Sequence, residues 1–279
     1  MANKQEPTKL KHTMTDDVLF KMFFVKNPEY LKRVVGMILK TPLEAITEFE
    51  IINGEIPPEE IGDKFCRLDI NMTVNGQKVD LEVQVADEGD YKKRSLYYWA
   101  REYSSALKSG NEYIDLPKVI LISIVGFKMF DCEEFHSEFR PLEVTRHTEL
   151  CDNQVMHYFE LKKLPEPTDG DEEIKFWLAF FKAQTEEELE KIIQKGVPVM
   201  KEAVAAYKSV AVSPEFEQIE RLRERTRHNE ASAIGYAKRE AAKAAAKATR
   251  EEMTAEITKN LRALNMPDDF INKVLTGGA

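Results

Sequence analysis

Within residues 79–87, "VDLEVQVAD", the polar side chains Asp80, Glu82 and Gln84 alternate with Val79, Leu81, Val83 and Val85. Strict alternation is how a half-buried strand reads, so two acids and an amide share one face of it. Carboxylates and carbonyls are hard oxygen donors, the kind a divalent cation such as Mg²⁺ takes. A cation so held can activate water and neutralise charge developing on a phosphodiester. Asp69, Glu82 and the backbone carbonyl of Val83 could supply such a set. The plainer reading is a one-sided hairpin with solvent-facing acids, and periodicity alone leaves both open.

The element that must position these residues is a hairpin. "RLDINMTV" and "QKVDLEVQV" are two alternating runs joined by Asn75-Gly76, a strong short-range signal for a type I′ turn. With those two residues as the loop, Val74 pairs with Gln77, Asp69 falls opposite Glu82, and Arg67 falls opposite Gln84. Leu68, Ile70, Met72 and Val74 then share the core face with Val79, Leu81, Val83 and Val85. Two directly opposed carboxylates repel unless a cation sits between them or one is protonated. A bulge would shift the pairing by one residue.

Around the hairpin the pattern alternates between helix and strand. Residues 15–40 carry apolar positions at helical spacing behind a "TDD" start, and Pro28 divides them into two helices. "AITEFEII" reads as a strand and "NGEIPPEEIGD" as a loop. "YKKRSLYYWAREYSSALKSG" reads as a helix ended by Gly110. On it Arg94, Tyr98 and Arg101 share one face. "KVILISIVGF" is a continuous apolar run, as a central strand buried on both sides requires, and "MHYFELKKL" is a further strand. This order predicts an α/β core with a mixed sheet. Beyond Pro165 the strands stop. "DEEIKFWLAFFKAQ" and "TEEELEKIIQKG" read as helices packed on the core, a long Ala, Glu, Lys and Arg pattern from Ser213 to about Leu264 reads as an extended helix, and "NMPDDFINKVL" closes with a short one. The expected division is 1–165 for the core, 166–212 for a helical extension and 213–279 for the long helix and tail.

The 279 residues are 43% hydrophobic and 32% charged, which excludes disorder over the whole chain. No apolar run is long enough to span a membrane and the N-terminal residues have no signal core, so a cytoplasmic protein with no membrane partner is expected. Cys66, Cys132 and Cys151 form no CxxC pair, which argues against a disulfide framework or a zinc ribbon. The histidines make no HExxH, and neither a phosphate-binding GxxxxGK[ST] loop nor a GxSxG elbow is present. The net charge is −9, yet residues 221–250 are locally basic, with Arg221, Arg223, Arg225 and Arg227 followed by Lys238, Arg239, Lys243, Lys247 and Arg250. Such a stripe could touch a DNA backbone. Helix propensity alone would also select it, and a solvated or dimerising helix is the preferred reading.

The ordered set "DKFCRLDI", "VDLEVQ", "YKKRSLYYWAREYSSALKSGNEY" and "LPKVILISIVGF" resembles the Rpn family of recombination-promoting nucleases and transposases, a branch of the PD-(D/E)XK nuclease superfamily. The similarity runs over residues 15–164, with a weaker echo in the tail. It implies a restriction-endonuclease-like αβββαβ core with a mixed sheet and Mg²⁺-dependent cleavage of DNA, with Mn²⁺ as a substitute metal. By the family pattern Asp69 matches the first metal-binding acid and Glu82 the second, and Gln84 stands where the wider superfamily usually has Lys. ExQ is common in this branch. An amide can orient water or phosphate, but it supplies no positive charge and is no base with a tuned pKa. Arg94 is the candidate for the missing cation, with Arg67 or Lys92 as substitutes; each is otherwise an ordinary surface charge. Asp17, in "DDVLFKMFF", is a further candidate metal ligand, because superfamily members often add an acid from the opening helix. Its plainer role, which we prefer, is in the first-turn capping group with Thr15 and Asp16.

Two functional expectations follow. The first is a metal-dependent DNA endonuclease active in recombination, transposition or defence against mobile elements, with a possible homodimer through the C-terminal helix. The second is a non-catalytic DNA-binding or self-associating protein that keeps the fold. An RNA-directed nuclease would differ from the first only in substrate.

Overall fold

The computed structural model describes residues 6–52, 70–107 and 110–276. Asp69, Arg67, Leu68, Cys66 and the expected loop that begins at Asn53 lie outside the described residues. The chain divides into two units, Met1–Glu220 and Arg221–Ala279.

In the first unit, α1 (Asp17–Lys26) and α2 (Pro28–Ile38) form the two helices that Pro28 was expected to separate, with the proline in the first turn of α2, where its missing N–H costs nothing. Asp16, not Thr15, is the N-cap of α1: its side chain accepts the Leu19 N–H at 3.0 Å. The Thr15 hydroxyl is bonded to that of Thr13 instead. Seven consecutive residues of α1, Val18 to Phe24, are buried, so this helix runs through the core.

Strand β1 (Phe49–Ile51) is shorter than the run "AITEFEII" suggested, because Leu43–Ala45 turns as a 3-10 segment before it. Strands β2 (Ile70–Val74) and β3 (Gln77–Gln84) form the hairpin in the expected register, Val74 opposite Gln77 and Ile70 opposite Leu81. Asn75 and Gly76 both have positive φ, 48° and 74°, as a type I′ turn demands. The Asn75 side chain also accepts the Thr47 and Glu48 N–H groups and donates to the Ala45 carbonyl, which ties the turn to the approach of β1. Ile70, Met72, Val74, Val79 and Leu81 are buried as expected, but Val85 is 53% exposed because β3 ends one residue earlier.

Helix α3 (Tyr91–Ser105) is capped at Ala106, short of Gly110, which has φ 93°. Strand β4 (Val119–Val125) is buried along its whole length. It is followed by β5 (His136–Phe139) and β6 (Gln154–Glu160), the latter two residues earlier than "MHYFELKKL" implied. The sheet order is β1-β2-β3-β4-β6-β5. The pairs β3/β4 and β4/β6 are parallel and the rest antiparallel, so the sheet is mixed as expected.

Helices α4 (Glu173–Lys182), α5 (Glu186–Lys195) and α6 (Pro198–Ala211) follow. Thr185 caps α5 in a reciprocal capping box with Glu188. The alternation of β4 divides the interior in two. Ile120, Ile122 and Ile124 join the large core with side chains of α1, α2, α4 and α6, while Leu121 and Val125 join Tyr91, Phe127, Met156 and Tyr158 in a smaller cluster under α3. Helix α7 (Pro214–Ala263) starts in the first unit, and its greater part, with α8 (Asp268–Thr276), makes up the second. No helix among the described residues is long and apolar enough to cross a membrane.

Candidate active site

The polar face of β3 lies on the α3 side of the sheet. Lys78 is ion-paired to Glu102 of α3 at 2.7 Å, Asp80 is half-buried, Glu82 is 5% exposed, and Gln84 is half-buried at the strand end. Leaving an ionised carboxylate in an interior is costly unless something compensates its charge. Among the described residues the group hydrogen-bonded to Glu82 is a neutral one: the Tyr91 hydroxyl donates to its Oε2 at 2.5 Å. That hydroxyl is also hydrogen-bonded with Ser123 at 3.0 Å. Ser123 is the register partner of Glu82 on β4, and Tyr158 is the partner of Ser123 on β6, so Glu82, Ser123 and Tyr158 form a row across the sheet. Tyr158 shares a 2.8 Å bond with the buried Ser95 of α3, and burial, ahead of the nearby Glu82 charge, raises its pKa.

Backbone direction also matters at Val83. Lys78 N–H bonds toward the Lys118 carbonyl and the Gln84 carbonyl accepts from Gly126, so even-numbered residues of β3 direct their backbone groups to the β4 side. By alternation the Val83 carbonyl faces the β2 side, away from the β4 ladder.

The other sequence candidates stand as follows. Gln84 donates its amide to the Ala86 carbonyl at 2.9 Å, so its N–H holds the strand exit and its side-chain oxygen takes no part in that bond. Arg94 is brought toward the acid face: its guanidinium lies 5.2 Å from the centre of the Tyr91 ring, the ring whose hydroxyl holds Glu82. It is also paired with Glu88 at 2.5 Å and Asp90 at 3.7 Å. Burial alone would lower the Arg94 pKa, but the Glu88 hydrogen bond and the surrounding acids raise it above the ordinary value. Lys92 points elsewhere, its ammonium 4.7 Å from the Phe130 ring centre. Asp17 accepts its neighbour Val18 N–H in the first turn of α1, a helix that packs against β3.

Tyr91, Ser123, Ser95 and Tyr158 escaped the sequence reading. Ser123 carried a signal, as the one hydroxyl in "VILISIV". Also missed was Lys21, 1% exposed and one turn beyond Asp17; fully buried lysines are rare and partnered.

Among the described residues one group of three ligand-type side chains has its ligand atoms within 4.8 Å, namely His12, Asp16 and Glu220, and these could hold a metal ion. Its members have other work: Asp16 caps α1, and His12 packs edge-on against Phe216. A separate cleft lined by Leu164, Pro165, Phe176, Lys182, Ile192 and Lys195 contains nothing from β3 or α3.

The model of the PD-(D/E)XK nuclease family transposase matches residues 14–237, most of the chain and all of the sheet with its flanking helices. No curated protein and no solved structure matches. A match of that extent, on a chain with a mixed α/β sheet, makes this protein a member of the PD-(D/E)XK nuclease family transposases.

Proposed function

We propose that the protein is a metal-dependent endonuclease that hydrolyses phosphodiester bonds of DNA, with its active centre on the α3 side of β3. The observation that carries this reading is Glu82: a buried carboxylate with a neutral hydroxyl as its hydrogen-bond donor, at the position where the Rpn resemblance expects the second metal-binding acid. The donor chemistry fits a hard divalent cation. Glu82 offers a carboxylate oxygen beyond the one bonded to Tyr91, and the Val83 carbonyl is directed away from the β4 ladder. Asp69, Glu82 and the Val83 carbonyl would hold Mg²⁺ or Mn²⁺, and Asp17, bonded to the Val18 N–H in the first turn of α1, keeps the capping role preferred for it. When bound, the metal lowers the pKa of a coordinated water and withdraws charge from the phosphate.

The chain's own residues supply the rest. Gln84 orients water or a phosphate oxygen through its side-chain carbonyl and amide, once the bond to Ala86 is exchanged for one to substrate. Arg94 remains protonated and offsets charge in the transition state from its place over Tyr91. The setting is the cytoplasm, in recombination, transposition or defence. The basic stretch of α7 is suited to pairing with a second copy or resting on a DNA backbone.

The second reading, a non-catalytic DNA-binding or self-associating protein, draws on the same side chains: Gln84 is bonded to Ala86 and Arg94 to Glu88. Nicking of supercoiled plasmid separates the two. Wild type should cut with Mg²⁺ or Mn²⁺ and stop with chelator, and identically purified Asp69→Ala and Glu82→Gln should be silent in both. Equal cutting by all three proteins, or none by any, would transfer the case to the second reading.

A further inference from the structure

Tyr91 is the first residue of α3, and its side chain folds back over β3 and β4. Its ring is 3% exposed, edge-on to Phe127 with centroids 6.1 Å apart and with the Arg94 guanidinium over its face. The ring packing places the hydroxyl between two groups whose separation the sheet fixes, Glu82 and its register partner Ser123. The result is a carboxylate whose rotamer is determined from outside by a rigid aromatic lever.

We infer that Tyr91, with Ser123 behind it, is a positioning residue for Glu82. This rests on the reading of Glu82 as a metal ligand. The phenol claims Oε2 and leaves Oε1 to a cation, so that Glu82 ligates through a single oxygen in a fixed direction. A neutral donor suits this task. A lysine or arginine in its place would bring a positive charge that competes with the metal, whereas a phenol orients the carboxylate and brings none. Hydrogen bonds to metal ligands from outside the coordination sphere are typically worth about 10–100-fold in metal affinity.

Tyr91→Phe keeps the ring and deletes the lever's end. Mn²⁺ titrated into the wild-type protein and followed by the electron paramagnetic resonance of the free ion gives affinity without reference to activity. Tyr91→Phe should bind Mn²⁺ roughly 10–100-fold more weakly. The metal concentration for half-maximal nicking should rise by the same factor, while the rate at saturating metal stays near wild type. Ser123→Ala should shift both in the same direction by less, and it decides the matter if Tyr91→Phe does not give a native circular dichroism spectrum. Glu82→Gln is the control for the underlying reading. If it abolishes Mn²⁺ binding while Tyr91→Phe and Ser123→Ala bind like wild type, the positioning role is wrong and the metal site stands. If Glu82→Gln binds like wild type, or wild type binds no Mn²⁺, both fall together.

Discussion

Glu82 and Glu160 are buried carboxylates on the same side of one sheet, and their surroundings differ in kind. Glu160, 1% exposed at the end of β6, meets the Lys163 ammonium at 2.5 Å and accepts the backbone N–H groups of Met129 and Phe130. The pairing is felt by Lys163: burial alone would lower its pKa, but the hydrogen bonds and charges of Glu160 and Cys132 together raise it. Glu160 is thus compensated in full, as a buried charge with a structural role must be. Glu82 has a phenol. The comparison separates a carboxylate met by a cation and two backbone donors from one met, among the described residues, by a neutral hydroxyl.

The widest test of that difference is to neutralise each acid. Glu82→Gln should lower metal-dependent nicking by roughly 100-fold or more, with no loss of stability to urea, because the amide can still accept from Tyr91 and no charge is left buried. A large loss of stability would show that Glu82 is structural like Glu160. Glu160→Gln should do the reverse, lowering Tm by about 5–10 °C through the unpaired Lys163, with nicking at low temperature close to wild type.

A third buried titratable group sharpens the contrast. His157, 4% exposed on β6, is hydrogen-bonded ring to ring with His136 at 3.0 Å. Burial pushes its pKa down to about 4, against the partial opposing pull of Glu138, with His136, Arg140 and Lys40 adding to the fall. The His136 pKa is also lowered by burial. Both rings are therefore neutral at pH 7, so here the fold removes the charge rather than compensating it. The unfolded chain binds protons near 6.5 and the folded one only near 4, so the contribution is complete above pH 6.5 and is lost as pH falls toward about 4. Denaturant midpoints should decline across that window, and His157→Gln should flatten the decline. An unchanged slope in the variant would assign the acid sensitivity to other groups.

The smallest expected effect is at Arg94. Arg94→Gln should slow nicking by about tenfold, near 1.4 kcal/mol in the barrier, without altering Mn²⁺ binding. A matching loss of Mn²⁺ affinity would mean that Arg94 acts through Tyr91 and Glu82 instead of through substrate.

What the sequence disclosed depended on how local the determining physics is. Asn75-Gly76 permits positive φ at two successive residues, and that made the register of β2 on β3, and with it the side of the sheet that Glu82 takes, legible. The apolar run of β4 and the break at Pro28 were equally local. β5 was not readable: four half-polar residues form a strand because His136 stacks on Phe159 with centroids 4.3 Å apart and bonds His157, contacts more than twenty positions along the chain. Helix α6 had a legible Pro198 start that went unread. For the site, the acid on β3 was visible, but Tyr91 looked like one of several aromatics in a helix. Only the return of α3 across the sheet gives its hydroxyl a partner. The i, i+3 spacing of Glu160 and Lys163 was in plain view; that both are buried was not.

The lengths of the strands carry a further consequence. Among the described residues the outermost strands of the sheet, β1 with three residues and β5 with four, are its shortest, while the interior strands β3, β4 and β6 have eight, seven and seven. An open sheet invites a neighbouring molecule to add a strand, and a brief border leaves few unpaired amides for it to grip. Copies of this protein crowded together, as on a shared stretch of polymer, are guarded by that border against fusing their sheets into aggregates.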